Sequence, residues 1–276
     1  MMADHPLGAL AHEVRELPRL WQGLRRRAFG TAAAVRFLLH RLSAPEPAAA
    51  TAWTSGRALR TPGGIQLYNR RDDVAYQQLF LLDEYMKDAW VPCLRRHERP
   101  LVLDVGANIG FFTALCLAEC PKARIHAFEL IPECEPLIRL RMQEGGLEEG
   151  GVVMAAMGSS DAGFLEVRYD AFYDMTNSVG RGGARMVQAR RRSLDAWADE
   201  VIPGQAPALV KIDVEGAEGD VVAGGRRLLA RSETILMELH GDLAPLRVLQ
   251  ETHTLVASHE PGPDLMVAVL RRTPGT

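Results

Sequence analysis

The chain is poor in the features that mark several large protein classes. No uninterrupted apolar run reaches the ~18 residues a membrane-spanning helix needs, and the opening MMADHPLGAL lacks a basic stretch followed by an apolar one. A soluble, cytoplasmic protein without stable membrane insertion is expected. No CxxC pair occurs among Cys93, Cys116, Cys120 and Cys134, and the histidines complete no zinc-ligand spacing. Free thiols in a reducing compartment fit that pattern. The formal net charge is only -3, so the overall balance offers no reason to expect nucleic acid as a partner. The acidic-aromatic tetrapeptide Asn-Pro-Pro-Tyr of nucleic-acid methylating enzymes is missing, and there is no internal repeat.

What is present is a chain of 276 residues, 47% of them hydrophobic, which is enough for a sizeable core and one or two domains. Charge is uneven: the first hundred residues hold 15 basic and 10 acidic side chains, whereas the remainder holds 17 and 25. Residues 13–42 read as largely helical, with Arg19, Arg25, Arg26, Arg27, Arg36 and Arg41 among Leu, Trp and Phe, and SAPEPAAAT at 43–51 is a natural break. Residues 73–90 read as a further helix, with Leu79, Leu82 and Met86 on one face. From residue 101 the pattern becomes strand–helix alternation: LVLDV, RIHAFE, GVVMAAMG, FLEVRY, ALVKIDV and TILMELH, with helices near 109–119, 135–143 and 217–229. Two final strands flank Pro261, Gly262 and Pro263. This predicts an α/β domain over 96–272, a mostly parallel seven-stranded sheet with a C-terminal antiparallel hairpin, preceded by an N-terminal helical extension over 1–95. That extension is expected to supply a lid or an oligomer surface.

The sharpest local signal is DVGANIG, which follows a strand and opens a helix. Gly106 permits a tight turn, Gly110 a close approach at the helix start, and Asp104 is placed to meet an ammonium group. Glu129 ends the next strand, where a carboxylate can accept from two ribose hydroxyls. Asn108 stands where a dinucleotide fingerprint wants its second glycine, and GxGxxG is absent, so a nucleoside without pyrophosphate, such as S-adenosylmethionine, suits the loop better than NAD. Asp161, in the loop after the third strand, is a candidate for the adenine edge. A second polar group lies in KIDVEGAE and ELHG. Asp213, Glu215, Glu238 and His240 end two buried strands on the side where α/β ligand sites form. His240 could serve as a base near neutral pH, and the oxygen-and-imidazole set could hold a divalent cation, although its spacing fits no metal motif. The stretch from Arg181 to Arg192, with Gly180, Gly182 and Gly183, reads as a flexible basic segment near the acceptor, with Asn177 and Ser178 as possible contacts.

Together these blocks resemble the FkbM family of S-adenosylmethionine-dependent methyltransferases. The matching stretches are LVLDVGANIGFFT, IHAFELIP, AAMGSSDAG, RRSLDAW, VKIDVEGAEGDVVAGG and ILMELHG, over roughly residues 101–241, and DDVAYQQLFLLDEYMKD upstream is similar to the region before the first motif in some relatives. The resemblance implies a class I, Rossmann-like methyltransferase that methylates a hydroxyl of a small natural product or sugar. It places Asp104, Gly106, Asn108 and Gly110 around the methionine part of the cofactor, Glu129 at the ribose and Asp161 near adenine. Asp213 and Glu215 would border the methyl-transfer site, with Asp213 or His240 as base and Lys211 paired to a carboxylate. Leu130 stands where relatives often have proline, which alters the turn and leaves the carboxylate. The alternatives are an N- or protein methyltransferase and a noncatalytic nucleoside-binding protein. A homo-oligomer is compatible with all of them.

Overall fold

The computed structural model describes residues 31–43, 52–54, 58–61, 64–169 and 183–275. Asn177, Ser178, Gly180, Arg181, Gly182 and most of the basic N-terminal helix lie outside them. The chain divides into two compact units, Met1–Asp83 and Glu84–Thr276. This boundary is earlier than the one expected at residue 95.

In the first unit, α1 (Thr31–Ser43), a two-stranded ribbon of β1 (Leu59–Arg60) and β2 (Gln66–Leu67), and α2 (Arg70–Tyr76) are followed by a π-helical turn, Gln77–Leu82. Asn69 starts α2 by accepting from the N–H groups of Arg71 and Asp72. His40 reaches Asp73, and Trp53 donates its indole N–H to Asp72. The single helix expected over 73–90 is interrupted here. Asp83 and Met86 both adopt left-handed backbone, and a new helix, α3 (Lys87–Arg95), begins beyond them. Of the three residues expected on one apolar face, Leu79 is buried whereas Leu82 and Met86 are half-buried.

The second unit is a seven-stranded sheet in the order β11-β12-β10-β9-β3-β4-β5. Its strands are β3 (Leu101–Val105), β4 (Arg124–Glu129), β5 (Gly150–Met154), β9 (Leu209–Ile212), β10 (Thr234–His240), β11 (His253–Gly262) and β12 (Leu265–Arg272). β3, β4, β5, β9 and β10 pair in parallel, while β12 runs antiparallel to both β10 and β11, giving the expected terminal hairpin. Every residue of β3 and of β9 is buried, as strands covered on both faces must be. On one face Leu103, Val105, Val210, Ile212 and Leu239 join Trp197 of α6 (Leu194–Val201) in one core, with Leu228 of α8 (Arg226–Arg231). On the other lie α4 (Phe111–Glu119), α5 (Glu135–Glu144) and α3. The helix expected over 217–229 is two: Gly225 separates α7 (Glu218–Gly224) from α8.

The third strand also divides. β5 ends at Met154, and β6 (Ala156–Met157) leaves the main sheet to pair with β8 (Arg185–Arg192), itself antiparallel to β7 (Phe164–Tyr169). The basic run read as flexible is therefore an ordered strand from Arg185 onward. Val187 and Ala189 turn inward, while Gln188 between them and Arg185, Arg190 and Arg191 around them are exposed. Among the described residues no helix is long and apolar enough to cross a membrane, and the four cysteines are free, three of them buried.

Candidate functional site

β3 lies between β4 and β9. In an open parallel sheet this is where successive connections leave to opposite sides and a crevice opens at the carboxyl ends. Two loops meet there. The first, residues 106–110, is tied by its backbone to β4: the N–H groups of Gly106 and Ala107 both donate to Phe128 O at 3.0 Å. Asn108, in left-handed backbone, donates its N–H to Glu129 Oε2 at 2.7 Å. Glu129 Oε1 accepts from Leu130 and Ile131 at 2.8 and 3.0 Å. Burial pushes the Glu129 carboxyl above its ordinary range, and these three amides pull it back.

Gly106 has a second reason to be glycine. Its φ is +80°, and a Cβ there would stand 1.7 Å from the carbonyl oxygen of Asp213. The two loops are in backbone contact. Gly110, at φ +81°, is crowded not by a ligand position but by α5, whose Ile138 Cα would lie 2.9 Å from an added Cβ.

Asp104 is fully buried. Thr113 donates to its Oδ2 at 2.7 Å, and Oδ1 faces Lys211 Nζ at 3.5 Å. The ammonium that Asp104 meets thus comes from the protein. Lys211 also donates to Gly106 O at 2.6 Å and pairs with Asp213 Oδ2 at 3.2 Å. Burial opposes the lysine charge, but Asp213, Asp104 and Glu238 together hold its pKa above the usual value. Asp213 Oδ2 accepts a further bond, 2.8 Å long, from the hydroxyl of Tyr85. That side chain is buried edge-on to Phe112, on which Trp90 also packs, and Trp90 donates its indole N–H to the backbone oxygen of Tyr85 at 2.8 Å.

His240 sits at the end of β10 among carboxylates. Its Nδ1 is 2.9 Å from Glu218 Oε1, and its Nε2 is 3.3 Å from Glu215 and 3.6 Å from Glu238. The bond to Glu218 raises its pKa, against burial and with help from Glu215 and Asp213, to about 9. At neutral pH the ring is a cation with both nitrogens donating, not the neutral base expected from its residue type. Asp161 is elsewhere engaged: its two oxygens accept from the N–H and hydroxyl of Ser193, each at 2.8 Å, fastening its loop to the start of α6.

The structure therefore joins Asp104, Gly106, Lys211 and Asp213 in one linked set, and Glu215, Glu218, Glu238 and His240 in another beside it. Donor atoms of Asp213, Glu238 and His240 lie within 4.8 Å of one another. The set does not suit a dication, because Lys211 stands against Asp213 and the His240 ring would first have to lose its proton. Tyr85 was absent from the sequence candidates. Its only signal was membership of the upstream block, in which it was counted as part of a helix.

Residues 104–254 match the Methyltransferase FkbM domain. The chain belongs to this family. FkbM-family membership makes it an S-adenosylmethionine-dependent methyltransferase of α/β, class I architecture, with the sheet order described above. It is 28% identical to the 31-O-demethyl-FK506 methyltransferase FkbM of Streptomyces tacrolimicus, over 79% of this chain and 97% of that protein. It is 26% identical to the 2-O-methyltransferase NoeI of Sinorhizobium fredii, over 54% of this chain and 69% of that protein. The methyltransferase sdnD of Sordaria araneosa is likewise 26% identical, over 52% of this chain and 68% of that protein.

Proposed function

We propose that this FkbM-family protein transfers the methyl group of S-adenosylmethionine to a hydroxyl of a small natural product or sugar. The observation that bears most weight is the adjacency of two unlike sites: a backbone-knit glycine loop with a buried carboxylate, and a partly open cluster of charged side chains touching it. The O-methyltransferase names of two relatives support the same acceptor chemistry.

The first site suits the cofactor. Asn108 Oδ1 is buried without a hydrogen-bond partner, and such an atom fits a ligand donor. Glu129 has three amides on its two oxygens and retains room for a ribose hydroxyl. Asp104 holds the loop from beneath through Lys211, and Asp161 would reach adenine only with its oxygens already shared with Ser193. When bound, S-adenosylmethionine supplies an electrophilic methyl group. The protein's share is to orient the acceptor oxygen and to receive its proton. Asp213, Glu215 and His240 border that position. Charged His240, held by Glu218 and Glu215, places positive charge beside the acceptor oxygen.

Calorimetric titration with S-adenosylmethionine, S-adenosylhomocysteine and NAD tests the cofactor half. Binding of the first two, weakened about tenfold or more by Glu129→Gln, is expected; equal binding of NAD would sink the reading. Labelled methyl transfer to sugars and polyols, set against transfer to peptides, tests the acceptor class.

A further inference from the structure

We propose that Glu238 is the catalytic residue that takes the proton from the acceptor hydroxyl, and that Tyr85 positions the pair it forms with Asp213. The inference rests on the S-adenosylmethionine reading and goes beyond it by choosing among the carboxylates.

Four of them converge beside the cofactor loop, and three are committed. Asp213 Oδ2 already accepts from Tyr85 and pairs with Lys211. Glu218 is 3% exposed and its Oε1 accepts from the Gly216 N–H and from His240. Glu215 faces His240 Nε2 at 3.3 Å. Glu238 is different: its Oε1 is 3.6 Å from His240 Nε2, beyond a hydrogen bond, and its side chain is 16% exposed. The Tyr85 hydroxyl also neighbours Glu238. A hydroxyl has one proton, and that of Tyr85 goes to Asp213 at 2.8 Å. Glu238 keeps open lone pairs, and the neighbouring Tyr85 hydroxyl favours its ionised form. His240 has both ring nitrogens turned to carboxylates, Nδ1 to Glu218 and Nε2 to Glu215.

The groups facing Glu238 are Asp213 and Lys211 from β9 and its following loop, His240 from β10 itself, and Tyr85 from the segment before α3. On the β12 side its register partner is Val267, which carries no charge. Burial first, then Asp213, lift the Glu238 carboxyl, against Lys211, His240 and Tyr85, to about 8. The carboxyl therefore becomes a proton acceptor as pH rises toward 8, and in its ionised form it is a stronger base than an ordinary glutamate. The step balances: the acceptor oxygen's lone pair makes the new O–C bond, the S–C pair stays on sulfur, and the O–H proton passes to Glu238 and then to water.

No acceptor is needed for the test. Sinefungin carries an amine in place of the methylated sulfonium and presents an ammonium toward whichever group faces the transferred methyl. With the full-length protein, sinefungin is expected to bind about tenfold more tightly than S-adenosylhomocysteine above pH 8, with the preference fading below it. Glu238→Gln abolishes the preference and its pH dependence while S-adenosylhomocysteine affinity stays. Asp213→Asn keeps the preference and moves its midpoint to lower pH. Tyr85→Phe moves the midpoint to higher pH, a shift that loss of packing alone would not produce. A preference unchanged in Glu238→Gln, or abolished in Asp213→Asn alone, overturns the proposal. Should Glu238→Gln fail to fold, NMR titration of 13C-labelled glutamate in the wild-type complex decides: no carboxyl titrating near pH 8 overturns it. Wild-type protein that binds neither ligand refutes the cofactor reading itself, an outcome distinct from any of these.

Discussion

At the end of β4 the carboxylate of Glu129 is held by three backbone amides, whereas at the end of β10 the carboxylate of Glu238 is surrounded by charged side chains and a phenol. The first arrangement is set once the backbone is folded. Its donors have fixed charge and cannot titrate. The second is a balance of protonation states, in which Lys211 and His240 stay charged because of the acids around them and Glu238 is driven toward neutrality by the same crowding. A cofactor pocket gains from the first kind of rigidity, and a site that must move a proton gains from the second.

The sharpest way to break this contrast is at the residue linking the two halves. Lys211→Met leaves Asp104 and Asp213 without their cation and is expected to lower stability by about 3–5 kcal/mol in urea unfolding. A loss under ~1 kcal/mol would mean that Asp104 is neutral in the folded protein. Next comes Gly106→Ala, expected to cost about 2–4 kcal/mol through the left-handed backbone and the collision with Asp213 O. Calorimetry should show it losing S-adenosylhomocysteine binding, whereas a change on the β10 side should spare that binding. Tyr85→Phe removes one bond to a charged acceptor and should cost about 1–2 kcal/mol by thermal or urea unfolding. The smallest effect is on pH dependence. His240 has its pKa raised to about 9, so its stabilising contribution is complete below its unfolded value near 6.5 and is lost as pH rises through 9. Protonated Glu238 acts in the same direction, through about 8. Tm should therefore fall between pH 6.5 and 9, and the fall should shrink in Glu218→Gln.

The backbone-knit half was the more legible in sequence, for a physical reason. A glycine forced into left-handed backbone, an adjacent helix start and a strand-ending acid leave a local, ordered trace in DVGANIG and RIHAFE. The charged half showed only its members. That Lys211 pairs with carboxylates could be anticipated from its burial, but the protonation of His240 depends on Glu218, 22 residues away along the chain, and on a contact that spacing does not encode. Tyr85 lies 128 residues from Asp213. Its segment has helical periodicity, which concealed the left-handed breaks at Asp83 and Met86. β8 escaped notice because arginine is a poor strand marker and only Val187 and Ala189 show the inward alternation.

The parallel pairing of β3 with β9 also has a kinetic meaning. Val105 of β3 aligns with Ile212 of β9, and Lys211 Nζ bonds to Gly106 O, 105 residues apart in the chain. Everything between them, including β4, β5 and the β7–β8 ribbon, must be looped out before that register closes, and such distant pairings form slowly. The glycine loop can form early against β4, but its contact with Asp213 waits for β9. A nascent chain that has emerged only as far as β8 can hold the glycine loop against β4 while Lys211, Asp213, Glu238 and His240 have yet to join it, so the proposed site is completed only by the last third of the polypeptide.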